Sequence, residues 1–118
     1  MDPKVERLFQ GANLIFIATV NSDGSPQLTP VWGNYEDGHI LINTAEGRIK
    51  HKNILNDNRV AISVVDYNNP LIMTTIQGKA VQIIPDYDYE HINKLTMLYM
   101  GIKEYPYKKK NEKRITVR

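Results

Sequence analysis

The segment Asn43-Thr44-Ala45-Glu46-Gly47-Arg48-Ile49-Lys50-His51-Lys52-Asn53 gathers a hydroxyl, a glycine and several basic side chains directly behind the apolar run Ile40-Leu41-Ile42. Such an arrangement can hold a phosphate. The run reads as a strand ending at Asn43-Thr44, and Ala45 to Leu55 reads as a helix with Ile49, Ile54 and Leu55 on its apolar side. Unsatisfied backbone N–H groups at a helix start favour an anion. Thr44 can donate to or accept from a ligand, Arg48 offers a planar fork for phosphate oxygens, and Lys50 adds a point charge. Basic residues on a short helix are also an ordinary solvated face, so the choice between the two readings rests on the surrounding elements.

Little else in the chain offers chemistry. There is no cysteine, which excludes disulfides, thiolate metal sites and thiol nucleophiles. His39, His51 and His91 are far apart, show no metal-ligand spacing and read as surface histidines. With no Ser-His-Asp set and no paired carboxylates, neither a catalytic side chain nor a metal site is assigned. If the chain is an enzyme, a bound cofactor must carry the reaction while the protein supplies position and electrostatics.

The formal charge of +2 arises from 15 basic and 13 acidic residues of mixed placement. The one basic run, Lys108-Lys109-Lys110 beside Tyr105 and Tyr107, reads as a solvated loop rather than a nucleic-acid patch. No apolar stretch reaches the length of a membrane span, and Met1-Asp2-Pro3-Lys4 lacks a signal-peptide core. The expectation is a cytoplasmic protein with neither a nucleic-acid nor a membrane partner. A chain of 118 residues is expected to form one domain over its whole length, 1–118.

The elements that must position the basic segment can be read from periodicity and turn chemistry. Pro3 to Gln10 predicts an amphipathic helix stopped by Gly11. Leu14 to Val20 predicts a strand, with Asp23-Gly24 turning the chain into a second strand, Pro26 to Tyr35. Glu36-Asp37-Gly38 turns again, and His39 to Asn43 returns. Beyond the short helix, Arg59 to Val65 predicts a buried strand, and Leu71 to Ile84 one long strand bent or bulged at Gly78. Asp86 predicts the cap of a helix that runs to about Met100 and ends at Gly101. Arg114 to Arg118 alternates like a final strand. Strands dominate in an order that predicts a closed or partly open antiparallel barrel.

Taken together, Ala18-Thr19-Val20-Asn21-Ser22-Asp23-Gly24-Ser25-Pro26-Gln27-Leu28-Thr29-Pro30-Val31-Trp32, Asn43-Thr44 through Gly47-Arg48-Ile49-Lys50 with Asn53, and Asn58-Arg59-Val60-Ala61 resemble the pyridoxamine 5'-phosphate oxidase-like family of FMN-binding split barrels. The likeness is to its small flavin- and deazaflavin-dependent oxidoreductase branch. It implies a mainly β, split antiparallel barrel that forms a homodimer, with cofactors in clefts between subunits. The cofactor implied is FMN, or alternatively the deazaflavin coenzyme F-420, with hydride passing to a small conjugated or quinone-like molecule. A flavin carrier or sensor without turnover is the other class, and a haem-handling role is a weaker third. Carried over by position, Asn43, Thr44, Gly47, Arg48, Lys50 and Asn53 lie at the phosphate, Asn53 alternatively serving only to stabilise its helix. Gln27, Thr29 and Pro30 lie beside the ribityl chain and ring. Gln27 and Thr29 share one strand face while Pro30 takes the other, so both sets cannot face the ring without a bulge. Trp32, Met73 and Thr75 match a substrate-pocket or second-subunit wall, although Trp32 reads first as a core or dimer-interface anchor and sheet packing explains Met73 and Thr75 equally well. The tail Lys113 to Arg118 lacks the basic and histidine pattern with which pyridoxamine phosphate oxidases hold their substrate, so vitamin B6 oxidation is not expected.

Overall fold

The computed structural model describes residues 2–118. In chain order the elements are α1 (Pro3–Gln10), β1 (Ile15–Val20), β2 (Pro26–Val31), β3 (Gly33–Glu36), β4 (His39–Ala45), α2 (Ile49–Asn56), β5 (Arg59–Val65), β6 (Met73–Lys79), β7 (Ile83–Pro85), α3 (Glu90–Met100) and β8 (Arg114–Val117). The strands form two antiparallel sheets, ordered β2-β1-β5-β6 and β3-β4-β8-β7. Ile15, Ile17, Ile62 and Val64 of the first sheet pack against Ile42, Ile115 and Val117 of the second, and Leu8 and Phe9 of α1 join the same core. This is the mainly β, split antiparallel barrel that the resemblance implies, within the antiparallel barrel that the strand order predicts. No helix among the described residues is long and apolar enough to cross a membrane.

Two predicted strands are each divided between the sheets. Pro26 to Tyr35 becomes β2 and β3, with the chain passing from one sheet to the other at Trp32. The reason lies at Gly33, where a Cβ would stand 2.6 Å from the Leu41 carbonyl oxygen and 2.7 Å from Ile15 Cδ1. Only glycine lets the backbone turn this corner so close to its neighbours. Leu71 to Ile84 likewise becomes β6 and β7. The crossing falls at Ala80 to Gln82 rather than at Gly78, and Val81 and Gln82 turn their N–H groups to the Arg118 carbonyl, at 2.8 and 3.2 Å. At the first corner alternation continues, with Val31, Gly33 and Tyr35 all turned inward, which hides the break from periodicity; at the second it slips by one residue, from Ile76 and Ala80 to Ile83.

The predicted cap of α3 works from a distance. The helix begins at Glu90 rather than beside Asp86, yet the Asp86 carboxylate accepts from the His91 and Ile92 backbone N–H groups at 2.8 and 2.9 Å. Those contacts satisfy donors left free at a helix start.

The outward face of the first sheet is different in character. The strand registers place Leu28, Phe16, Ala61, Ser63, Thr75 and Met73 on it in an uncharged band. Leu28, Phe16 and Met73 are 65%, 39% and 55% exposed there.

Candidate phosphate-binding site

Strand β4 continues past Thr44, because Thr44 pairs with Ile115 and Ala45 with Arg114 of β8. The segment predicted as helix from Ala45 therefore begins as strand. Gly47 then turns the chain at φ +83°, a left-handed conformation that favours glycine. Its N–H donates to His51 Nδ1 at 3.0 Å. Helix α2 starts at Ile49 with Arg48 as its cap residue.

This later start rotates the helix relative to its predicted face. Ile49 and Leu55 are 58% and 67% exposed, whereas Lys50, Asn53 and Ile54 are buried. Those three positions follow the i, i+3, i+4 spacing of one helix face. Asn53 Nδ2 donates to Thr19 Oγ1 at 3.0 Å and to Asn21 Oδ1 at 2.9 Å, clamping α2 to β1 and its turn. Lys50 is carried inward beside it.

The end of β4, the start of α2, the Trp32 corner and the start of β8 enclose a cavity of about 290 Å³. Pro30, Trp32, Asn43, Thr44, Arg48 and Lys50 line it, joined by Leu14, Ile92, Tyr105, Tyr107 and Arg114. Three cations thus share one small space. Arg48, 45% exposed at its side chain, pairs with Glu112 at 3.4 Å. Arg114 is almost fully buried; it pairs with the same carboxylate at 3.3 Å and donates from Nε to Asn43 Oδ1 at 2.9 Å. Its guanidinium also lies 5.3 Å from the Tyr105 ring centroid.

Lys50 makes no salt bridge among the described residues. Burial holds its ammonium below the usual lysine pKa, and repulsion from Arg48 and Arg114 adds to the depression. Thr44 Oγ1 is buried with no hydrogen-bond partner. An unsatisfied buried hydroxyl costs about 1–3 kcal/mol, and a desolvated unpaired cation is also unfavourable. One anion bearing several oxygens would relieve both defects, so the residues present fit a phosphate group.

A buried polar network holds Arg114 in place. Asn43 Nδ2 donates to Asp86 Oδ2 at 2.9 Å and lies 3.0 Å from His91 Nδ1. His91 Nε2 stands 2.8 Å from Asn34 Oδ1, and its Nδ1 is 2.8 Å from Thr116 Oγ1. These partners assign a neutral ring with its proton on Nε2. Burial pushes the His91 pKa down to about 4, against the attraction of Asp86 and Glu36. The surface position expected for His91 is therefore corrected: residues brought together from β3, β4, α3 and β8 leave it half-buried and hydrogen-bonded at both ring nitrogens.

The remaining sequence-derived residues are placed as follows. Gln27 and Thr29 pair with Thr19 and Ile17, facing inward on β2, while Pro30 turns the other way and reaches the cavity. Gln27 Oε1 accepts from Thr19 Oγ1 at 3.3 Å, and Thr29 Oγ1 is a second buried hydroxyl without a partner. Trp32 stacks on Tyr99 with centroids 5.1 Å apart and meets Tyr105 edge-on at 6.3 Å, so it serves both as an anchor and as a cavity wall. Met73 and Thr75 lie on β6, three strands from β2, outside this cavity. Sequence reasoning missed Arg114, Glu112, Tyr105 and Tyr107. The only available signal was an arginine opening an alternating strand, behind two tyrosines flanking a proline.

The family model described as pyridoxamine 5'-phosphate oxidase matches residues 1–116, and the chain belongs to that family. Among solved structures, an F420 reductase is similar at 31% identity and a TM-score of 0.82, covering 96% of this chain and 90% of that one. A conserved hypothetical protein from Mycobacterium tuberculosis is 24% identical with a TM-score of 0.74, over 99% of this chain and 78% of that one. The Group A Streptococcus protein HupZ is 20% identical with a TM-score of 0.67, over 99% and 87%. The last two are likenesses of fold. No curated protein matches the chain significantly.

Proposed function

We propose that the protein is an oxidoreductase that binds FMN in the cavity at the end of β4, with Thr44, Arg48, Lys50 and Arg114 on its phosphate. The observation that carries this reading is the pairing of two unmet needs in one space: among the described residues the buried Thr44 hydroxyl has no hydrogen-bond partner and the buried Lys50 has no salt bridge. A second reading, binding of coenzyme F-420, is supported by the 31% identity to a protein named F420 reductase. Both cofactors carry a phosphate that the same grip can hold.

When bound, the cofactor supplies hydride transfer to a small conjugated or quinone-like acceptor. The chain's own residues position it. Asn43 aims the Arg114 guanidinium, the Glu112 carboxylate bridges Arg48 and Arg114 and offsets their mutual repulsion, and Leu14, Pro30 and Trp32 exclude water. The cavity lies beside Leu14 and Pro30 at the edge of the uncharged outward band of the first sheet. A homodimer formed across that band would bury Phe16, Leu28 and Met73 and close the cavity with a second-subunit wall that includes Met73 and Thr75.

Titration of the purified protein with FMN, coenzyme F-420 and riboflavin tests the grip. One phosphate-bearing cofactor should bind, and riboflavin should bind roughly tenfold or more weakly, because a charge-assisted contact contributes about 1.5–3 kcal/mol. Equal affinity for riboflavin overturns the phosphate reading. Stopped-flow oxidation of the bound reduced cofactor by quinones and enones separates enzyme from carrier. Rates no faster than those of free reduced cofactor favour a carrier or sensor.

A further inference from the structure

A second cavity, of about 210 Å³, lies between the sheets, walled chiefly by Ile17, Ile42, Ile62, Ile76 and Val117. It shares no lining residue with the first. Ile42 lines this cavity and Asn43, the next residue of β4, lines the other, so alternation places the two on opposite faces of the strand.

The void has a cause in the sequence. Ile76 pairs with Ile62 and both face the cavity, so Gly78, two residues on and paired with Val60, occupies the same inward face. A Cβ added at Gly78 meets no atom within 4 Å. Gly78 is not among the glycines at positive φ, so its backbone does not demand glycine. A glycine inside a strand weakens it and marks a place where another group approaches closely. Here it leaves the cavity open on the β6 side, where an inward side chain would otherwise stand.

The rim is cationic. Lys79 and Arg118 both line the cavity, and neither makes a salt bridge among the described residues. The Arg118 guanidinium donates to Gln82 Oε1 at 3.2 Å and lies 3.0 Å from His39 Nδ1. Among the described residues no carboxylate forms a salt bridge with it.

The geometry points to a binding site for a small aryl carboxylate, its ring between the isoleucines of the two sheets and its carboxylate on Arg118. An apolar cavity of about 150 Å³ accepts a benzene ring, so this larger one has room for a ring on a short tether. An apolar interior with one convergent charged group is the usual make-up of a small-molecule site, and arginine suits a carboxylate through its planar fork. This site is independent of the cofactor reading.

The probe is phenylacetate, titrated into methyl-labelled full-length protein without cofactor and followed by NMR. Saturable shifts are expected at Ile42, Ile62, Ile76 and Val117, with none at Ile92 in the other cavity. Phenethyl alcohol should bind roughly tenfold more weakly, and Arg118→Gln should lower phenylacetate affinity by about the same factor while leaving the alcohol unchanged. Gly78→Leu should fill the hole and abolish binding of both. If that variant does not fold, Gly78→Ala should weaken both ligands in parallel. Absence of saturable shifts in the wild-type protein, shifts confined to the Thr44 cavity, or undiminished binding by the folded Gly78 variant would each overturn the assignment.

Discussion

Replacing Lys50 with methionine should stabilise the free protein and weaken its hold on a phosphate, two effects of opposite sign from one side chain. Lys50 is 6% exposed and has no salt-bridge partner among the described residues. Methionine keeps an unbranched apolar stem in the same space and removes the desolvated charge. Relief of such a functional-site defect is expected to contribute about 0.5–2 kcal/mol, which for a domain of this size is a rise in Tm of about 2–8 °C. In the same variant the cofactor phosphate loses a charge-assisted contact contributing about 1.5–3 kcal/mol, so affinity should fall roughly ten- to hundredfold. The pH dependence provides a further check. Because the folded pKa of Lys50 lies below the 10.5 of the free side chain, the native state releases this proton before the unfolded chain does. Its contribution to stability therefore rises with pH between the depressed value and 10.5, and that component should vanish in the variant. Thermal melts without cofactor and FMN fluorescence titrations measure both effects. A less stable Lys50→Met protein, or one that binds FMN as tightly as before, refutes the reasoning.

Three other outcomes are expected. For His91, whose pKa is pushed from 6.5 down to about 4, the unfolded state binds a proton that the native state refuses between those values. Stability should therefore rise with pH across that window by about 3 kcal/mol; urea titrations at several pH values should show a smaller slope for His91→Gln. Asn53→Ala should lose about 1–3 kcal/mol, because two hydrogen bonds clamping α2 to β1 disappear. It should change FMN affinity by less than about threefold; a loss as large as that of Lys50→Met would place Asn53 on the ligand. Leu28→Glu, on the uncharged outward band, should shift light-scattering mass to that of a monomer and weaken cofactor binding together; an intact dimer would remove that face as the interface.

The strand-rich barrel, the helix over Pro3–Gln10, strand Arg59–Val65 and the basic segment around Thr44 were legible in the sequence, because each rests on local alternation, turn residues or capping. The resemblance in residue order also pointed to the family that the family match shows. Only the tertiary structure decided where the long strands change sheets, since alternation is blind to which sheet a strand joins. Gly33 required a corner because of Leu41 and Ile15, and those contacts exist only after folding. Pairing of Ala45 with Arg114 moved the start of α2 to Ile49, which turned Lys50 inward and Ile49 outward. The same pairing brought Arg114 to Thr44 and Lys50, and the packing of α3 set His91 against Asn43 and Thr116. Local chemistry thus named the cations and the hydroxyl. Whether they converged on one cavity depended on long-range strand pairing, which no short window of sequence contains.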